Sequence, residues 1–255
     1  MSGKELPVEV IAILLAAGRG SRMGGGENKI FQMIGSKTML ELAAERLWGH
    51  PDLTLLLVLV ADEDKERAEA ILASSMPEGS YRLVTGGKSR QESSLFGLRA
   101  AAAEAAKEPG KRTLALIHDA ARCLLPAGLT DDLIQIIRQD RCGAAPAIPV
   151  TDTVRLLDKP GGALEETLPR GRLVATQTPQ GADLDILLEA AELACKESAD
   201  VTDDLELLVR IGFPVRLIPG HPDNIKITRP VDRKLALSLM DQKSLKEAGG
   251  VSAAL

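Results

Sequence analysis

Residues 15 to 29 read Leu-Ala-Ala-Gly-Arg-Gly-Ser-Arg-Met-Gly-Gly-Gly-Glu-Asn-Lys and follow an unbroken apolar run, Val10 to Leu14. A buried strand therefore feeds a glycine-rich loop in which Arg19, Arg22 and Lys29 face a single acid, Glu27. Glycines let backbone N–H groups approach a ligand and form an anion-binding concavity, so the guest that suits this loop is a polyphosphate. Two common phosphate loops do not fit. Gly20 and Gly25 have the spacing of the P-loop, but Gly26 stands where a lysine is required. Gly18-Arg19-Gly20 opens the dinucleotide fingerprint, but Met23 stands at its last glycine. A plain linker between strand and helix is the alternative, and the interleaved bases weigh against it.

Four further polar stretches follow strand-like runs or open helices. They are Gly86-Gly87-Lys88-Ser89-Arg90-Gln91-Glu92-Ser93, His118-Asp119-Ala120-Ala121-Arg122, Val201-Thr202-Asp203-Asp204 and Asp223-Asn224-Ile225-Lys226-Ile227-Thr228-Arg229-Pro230. In an open parallel sheet, ligands bind beyond the carboxyl ends of the strands, so these stretches are stations of one site. Taken singly, each has an ordinary reading. The first is a capped helix start, the second a surface salt bridge, the third a helix cap with acids favoured by the dipole, the last an edge-strand lysine.

The motif A-A-G-x-G-x-R-M with a lysine a few residues on resembles the signature of nucleotidyltransferases that join a sugar or polyol phosphate to a nucleoside triphosphate. The series G-G-x-x-R-x-x-S, H-D-A-A-R, D-T-V, an arginine before T-P-Q, V-T-D-D and D-N-I-K-I-T-R-P narrows this. In that order it resembles the 2-C-methyl-D-erythritol 4-phosphate cytidylyltransferases, from about Val10 to Met240. The resemblance implies transfer of CMP from CTP to the polyol phosphate with Mg²⁺ or another divalent cation, in isoprenoid biosynthesis. It implies Arg22, Lys29 and Lys226 as the catalytic charges. It implies a nucleotide site of Ala16, Ala17, Gly18, Gly20, Gly87, Arg90, Ser93, Asp119 and Ala120, with Asp119 on the metal side and the metal held mostly through CTP phosphates. Arg122, Thr153, Arg170, Thr178, Thr202 and Asp203 would meet the polyol phosphate, Thr153 and Arg170 from the neighbouring subunit of a homodimer. Alternatives are a ribitol-5-phosphate cytidylyltransferase, whose counterpart of His118–Arg122 more often carries Ser-Val at Ala120-Ala121, and a catalytically silent nucleotide binder of the same fold. Departures from the family pattern are Asn28 and Cys123, where proline is usual, and the insert Gly24-Gly25-Gly26.

The elements that must hold these stations alternate. Apolar runs at Val10–Leu15, Leu53–Val60, Leu114–Ile117, Ala144–Val150 and Val215–Ile218, with a short strand at Tyr81–Val84, read as strands, several continuous enough for a sheet covered on both faces. Met39, Leu40, Ala43, Ala44, Leu47 and Trp48 share one helical face. Ser89 to Glu92 is a capping-box pattern for a helix towards Ala106. Further helices are expected from Thr130, over Asp183–Cys195, over Asp203–Ile211, and from Pro230 to about Met240. The expectation is an α/β fold, a Rossmann-like, mostly parallel twisted sheet with helices on both faces. Residues 8–241 form a single domain, and 242–255 a disordered tail. Residues 151–176 break the alternation and read as a projecting β-arm, which two strands alone would leave marginally stable. A second subunit's arm is the simplest partner.

The 255 residues are 45% apolar with a net charge of −5 and 2% aromatics. That balance disfavours generic nucleic-acid binding. Three scattered cysteines give neither a disulfide framework nor a zinc spacing. With no signal-peptide pattern and no apolar run of bilayer length, the expected place is the cytoplasm, away from membranes.

Overall fold

The computed structural model describes residues 6–18 and 28–249. Strand β1 (Val8–Leu15) is followed by a 3-10 turn at Lys29–Phe31, a short ribbon of β2 (Met33–Ile34) and β3 (Lys37–Thr38), and helix α1 (Met39–Trp48). Next come β4 (Leu53–Val60), a 3-10 turn at Asp62–Asp64, α2 (Lys65–Ser75), β5 (Tyr81–Thr85), α3 (Arg90–Ala105), β6 (Arg112–Asp119) and α4 (Leu129–Asp140). The remainder is β7 (Gly143–Pro149), the hairpin β8 (Arg155–Leu157) and β9 (Leu164–Thr167), β10 (Val174–Thr176), β11 (Gln180–Asp183), α5 (Leu184–Lys196), α6 (Asp204–Arg210), β12 (Val215–Pro219) and α7 (Pro230–Gly249).

Strands β5, β4, β1 and β6 lie side by side and parallel. Beyond β6, the sheet takes in β11 antiparallel, then β7, with β12 parallel on the far edge of β7. Strand β10 runs antiparallel to β7 just before β11. The expected mostly parallel sheet is therefore present, with two reversed strands in it, β10 and β11. Its two faces explain the continuous apolar runs. Val10, Ala12 and Leu14 of β1 and Leu56, Val58 and Val60 of β4 pack on one side with α1, α2 and α4. Ile11, Ile13, Leu55, Leu57 and Leu59 pack on the other with α3, α5 and α6. Alternate side chains of a strand point to opposite faces, so a strand buried on both must be apolar throughout. Close approach makes one helix glycine necessary: a Cβ on Gly97 of α3 would stand 2.5 Å from Ile13 Cγ2.

The helix starts have the expected chemistry with adjustments. Thr38 and Glu41 form a complete capping box on α1. On α3, Ser89 Oγ accepts from Glu92 N–H as the pattern requires, but the Glu92 carboxylate takes the Lys88 N–H instead of that of Ser89. Helix α4 begins at Leu129, one residue before the expected cap Thr130, because Gly128 enters at a φ of 81°. Three features depart from the expectation. Helix α2 was not anticipated by the apolar pattern. Strand β11 joins the sheet between the expected arm and the expected helix from Asp183, where no strand was anticipated, and β10, inside the expected arm, pairs with β7. The last helix passes Met240 and continues to Gly249, so the expected disordered tail is helical over its first eight residues; residues 250–255 lie outside the described residues.

Between β7 and β10 the chain leaves the sheet. Strands β8 and β9 pair only with each other among the described residues. The hairpin is closed by Leu168 N–H to Val154 O at 3.0 Å and Asp158 N–H to Ala163 O at 3.1 Å. It exposes Leu156 and Leu157 at 43%, Leu164 at 54% and, at the root, Val174 at 47%.

Candidate active site

A cleft of about 860 Å³ opens where β1, β4, β5 and β6 end, the place a parallel sheet reserves for ligands. Ala16, Ala17 and Gly18 continue β1 into it, Gly86 and Gly87 continue β5, and Asp119 ends β6. The floor depends on small residues. A Cβ on Gly86 would stand 2.3 Å from Ala17 Cβ, so only glycine lets the two loops approach this closely. Ser93, buried on the first turn of α3, accepts from Gly87 N–H at 3.0 Å and donates to Ser89 O at 2.8 Å. The Gly87 amide, expected to face a ligand, is thus turned towards its own helix.

Charge in the cleft is paired. Asp119 Oδ2 meets Lys226 Nζ at 2.7 Å, and Oδ1 accepts from Arg90 Nε at 3.2 Å. A second carboxylate, Asp204, grips Arg90 Nη2 at 2.7 Å. Burial works against the charge on Asp119, but Arg90 and Lys226 outweigh it and hold the carboxyl far below its usual range. Burial likewise opposes the Arg90 charge, and Asp204 and Asp119 overcome it. Lys29 Nζ donates to Ile227 O at 2.9 Å, across 198 residues of sequence. Lysines from opposite ends of the chain therefore line one cleft, next to a permanently ionised acid.

Behind Asp119 lies a buried neutral relay. The Thr178 hydroxyl accepts from Asp119 N–H at 3.2 Å and lies 2.9 Å from His118 Nδ1. On the other side of the ring, His118 Nε2 is 3.2 Å from Arg122 O. Nδ1 is then the acceptor and Nε2 the donor, the only tautomer that satisfies both contacts. Burial lowers the His118 pKa to about 4. Unfolding returns the ring to about 6.5, so the unfolded chain binds the extra proton between those values and stability rises with pH there. At pH 5 the lost stability is about 2 kcal/mol relative to pH 7.5. Urea denaturation of the protein and of His118→Asn at both pH values tests this: the variant should show a shallower pH dependence by roughly that amount. Equal slopes would mean that His118 is not the titrating group, in a chain with three histidines.

A family model described as 2-C-methyl-D-erythritol 4-phosphate cytidylyltransferase matches residues 10–242. This chain belongs to that family. The enzyme of that name from Nocardia farcinica is 38% identical over 92% of this chain and 95% of its own length. The one from Streptomyces coelicolor is 33% identical over 94% and 88%. The crystal structure of 4-diphosphocytidyl-2C-methyl-D-erythritol synthase from Anaerococcus prevotii superposes with a TM-score of 0.77 at 26% identity, covering 91% of this chain and 96% of the other.

For this member of the cytidylyltransferase family, the expected site residues other than Ala120 fall into three groups. Ala16, Ala17, Gly18, Lys29, Gly87, Arg90, Ser93, Asp119 and Lys226 share the cleft. At the turn after β6 it is Ala121, not the expected Ala120, that lines the cleft: Ala120 is fully buried, with its N–H given to Leu15 O. Gly20 and Arg22 lie outside the described residues. The residues expected at the polyol phosphate are not gathered in the cleft. Thr178 is buried behind Asp119. Arg122 donates to Asn224 O at 2.7 Å and to Thr176 O at 3.4 Å, with Nε left buried and without a hydrogen-bond partner among the described residues. Asp203 caps α6 through Glu206 N–H, and Thr202 is bound to the Glu206 carboxylate, so the plain helix-cap reading describes their contacts. Thr153 and Arg170 stand exposed on the arm, Arg170 Nη1 donating to Thr151 O.

Sequence reasoning missed three supports. Asp204 was visible only as the second acid of a cap, yet it is buried and holds Arg90, with Ser94 Oγ donating to it at 2.5 Å. Gln180 Oε1 accepts from the Asp204 and Leu205 amides, and its Nε2 donates to Asp203. Asn28, noted only as a departure, is a buried junction.

Proposed function

We propose that this chain transfers CMP from CTP to 2-C-methyl-D-erythritol 4-phosphate, forming 4-diphosphocytidyl-2-C-methyl-D-erythritol and pyrophosphate. The convergence of Lys29 and Lys226 at the end of β6, in a cleft floored by the Ala16–Gly18 and Gly86–Gly87 backbone, carries the reading. A phosphate monoester has a second pKa near 6 and is mostly a dianion at pH 7, so the attack needs no general base. Its oxygen forms a bond to the α-phosphorus as the bond to pyrophosphate breaks. The obstacle is an anion approaching a polyanion, and fixed positive charge removes it. Lys29, Lys226 and, from the glycine-rich loop, Arg22 supply that charge. Asp119 keeps Lys226 at the cleft edge and Arg90 keeps Asp119 in place. The loop backbone and the Gly87–Ser93 corner hold the nucleotide.

No group of three His, Cys, Asp or Glu side chains that could enclose a metal occurs among the described residues. A single carboxylate, Asp119, suits Mg²⁺, which keeps waters and phosphate oxygens and takes few protein ligands. Asp119 with the CTP phosphates would hold it, and it would supply further neutralisation of phosphate charge.

The arm leucines and the unpartnered hairpin support a homodimer in which each arm packs on the other, carrying Thr153 and Arg170 towards the partner's cleft. No described helix is long and apolar enough to cross a membrane, in keeping with a cytoplasmic place for the reaction. Pyrophosphate release tests the reading directly. With CTP and Mg²⁺ it should require a polyol phosphate and run at least roughly tenfold faster with methylerythritol phosphate than with ribitol 5-phosphate. Equal or reversed rates would favour the ribitol enzyme, and release with neither would leave a nucleotide binder.

A further inference from the structure

Asn28 stands between the glycine-rich loop and Lys29, and its side chain is bonded at every polar hydrogen. Nδ2 donates to Ala16 O at 3.1 Å and to Asp64 Oδ2 at 2.8 Å. Oδ1 accepts from Ile30 N–H at 3.3 Å, capping the 3-10 turn that carries Lys29. The amide fits only this way round, since reversing it would set a carbonyl against two acceptors and an NH₂ against a donor. Ala16 directly follows β1 on the way into the loop, and Asn28 is the first residue after Gly18 that the structure describes, so one buried side chain joins the two described ends of the loop. Asp64 belongs to the turn after β4, whose Asp62 and Glu63 also line the cleft. The contact therefore also ties the loop to a neighbouring wall. Lys29 follows directly and reaches Ile227 O beside Lys226.

We infer that Asn28 is a positioning residue: with Asp64 it clamps the mouth of the phosphate loop and thereby aims Lys29 at the triphosphate. This rests on the functional reading of Lys29 above. Its effect falls on CTP, because Ala16 and Lys29 line the cleft, Asp64 directly follows Asp62 and Glu63 that line it, and none lies on the arm.

The test compares Asn28→Ala, Asp64→Ala, Lys29→Ala and the double variants of Asn28→Ala with each of the others. Binding of CTP with Mg²⁺ is read by calorimetry, and the KM of each substrate by pyrophosphate release. Asn28→Ala should weaken CTP binding roughly tenfold, the scale of two or three lost buried hydrogen bonds partly replaced by water, and leave the polyol-phosphate KM within about twofold. Asp64→Ala should reproduce part of that loss, and adding it to Asn28→Ala should cost little more. In the Lys29→Ala background, Asn28→Ala should change CTP binding hardly at all, because the group it aims is gone. Asn28→Pro is the rescue: the φ of −63° at this position already suits the proline ring, so it should recover CTP binding relative to alanine if pre-set backbone direction is what matters. Unchanged CTP binding in Asn28→Ala, equal losses for both substrates, or full additivity with Lys29→Ala would each overturn the inference. Failure of the wild-type protein to bind CTP would instead overturn the functional reading beneath it.

Discussion

Replacing Lys226 by alanine should lower turnover about a hundred- to a thousand-fold, the loss seen when one preorganised group facing transition-state charge is removed, while the protein stays folded. The structure explains why fold and turnover separate. Lys226 lies half-exposed on a loop, and its ion-pair partner Asp119 retains Arg90 at 3.2 Å when the lysine is gone. No buried charge is then left without a partner, which is the circumstance that makes truncating an ion pair costly. Lys29→Ala should behave alike for a different reason, since its described bond is to a backbone carbonyl, Ile227 O, at the cleft edge. Single-turnover pyrophosphate release alongside thermal unfolding separates the two effects. Near wild-type turnover in either variant would remove that lysine from the mechanism, and a large fall in melting temperature would make its role structural.

Arg170→Ala should raise the KM for the polyol phosphate many-fold, on the scale of a lost bidentate phosphate contact, and leave that for CTP nearly unchanged. Arg170 sits in a 3-10 turn, Arg170–Arg172, beyond the hairpin and outside its own chain's cleft, with its guanidinium exposed and one bond to Thr151 O. An arginine so placed has no structural need for its remaining donors. If the arm serves the partner subunit, mixing Arg170→Ala with Lys29→Ala subunits should restore activity. A mixed dimer contains one site with both residues intact, and random exchange makes about half of all dimers mixed. Titrating one variant into the other after demonstrated subunit exchange measures this. Absence of recovery would place Arg170 in its own subunit's site or in none. A monomer by sedimentation would overturn the shared site outright.

Periodicity and spacing reached most of the architecture. The two-faced apolar runs of β1 and β4 require a sheet covered on both sides, and strand–helix alternation then leaves few topologies. The glycine-rich loop, His118–Arg122 and the Lys226 segment were legible because chemistry at a strand's carboxyl end is local in sequence: a strand ends, and polar residues follow. Strand β11 was not legible. Gln180-Gly181-Ala182-Asp183 has no apolar run, and it holds its place by close approach: a Cβ on Gly181 would stand 2.4 Å from Leu116 Cδ2 and 2.7 Å from Ala115 O. Smallness matters there only because β6 is beside it. Helix α2 was missed because only Ala68 and Leu72 are buried, too narrow a stripe to show as a period.

The side chains that hold the site in register were decided by tertiary structure alone. Asp204, Gln180, Thr178 and Asn28 are polar residues whose partners lie 12 to 114 residues away. In sequence Asp204 reads as part of a cap, Asn28 as a departure from the family pattern, Thr178 as a contact for the polyol phosphate, and Gln180 gives no signal, because a short polar side chain carries no mark of what it will bond. Burial decides it. Once packing removes water from around these groups, each must find a protein partner, and the partners available are those that the turns after β1 and β4, strand β6 and helices α3 and α6 bring to the same end of the sheet. Local chemistry thus named the charges proposed to act on phosphate, and only the folded chain determined what holds them in place.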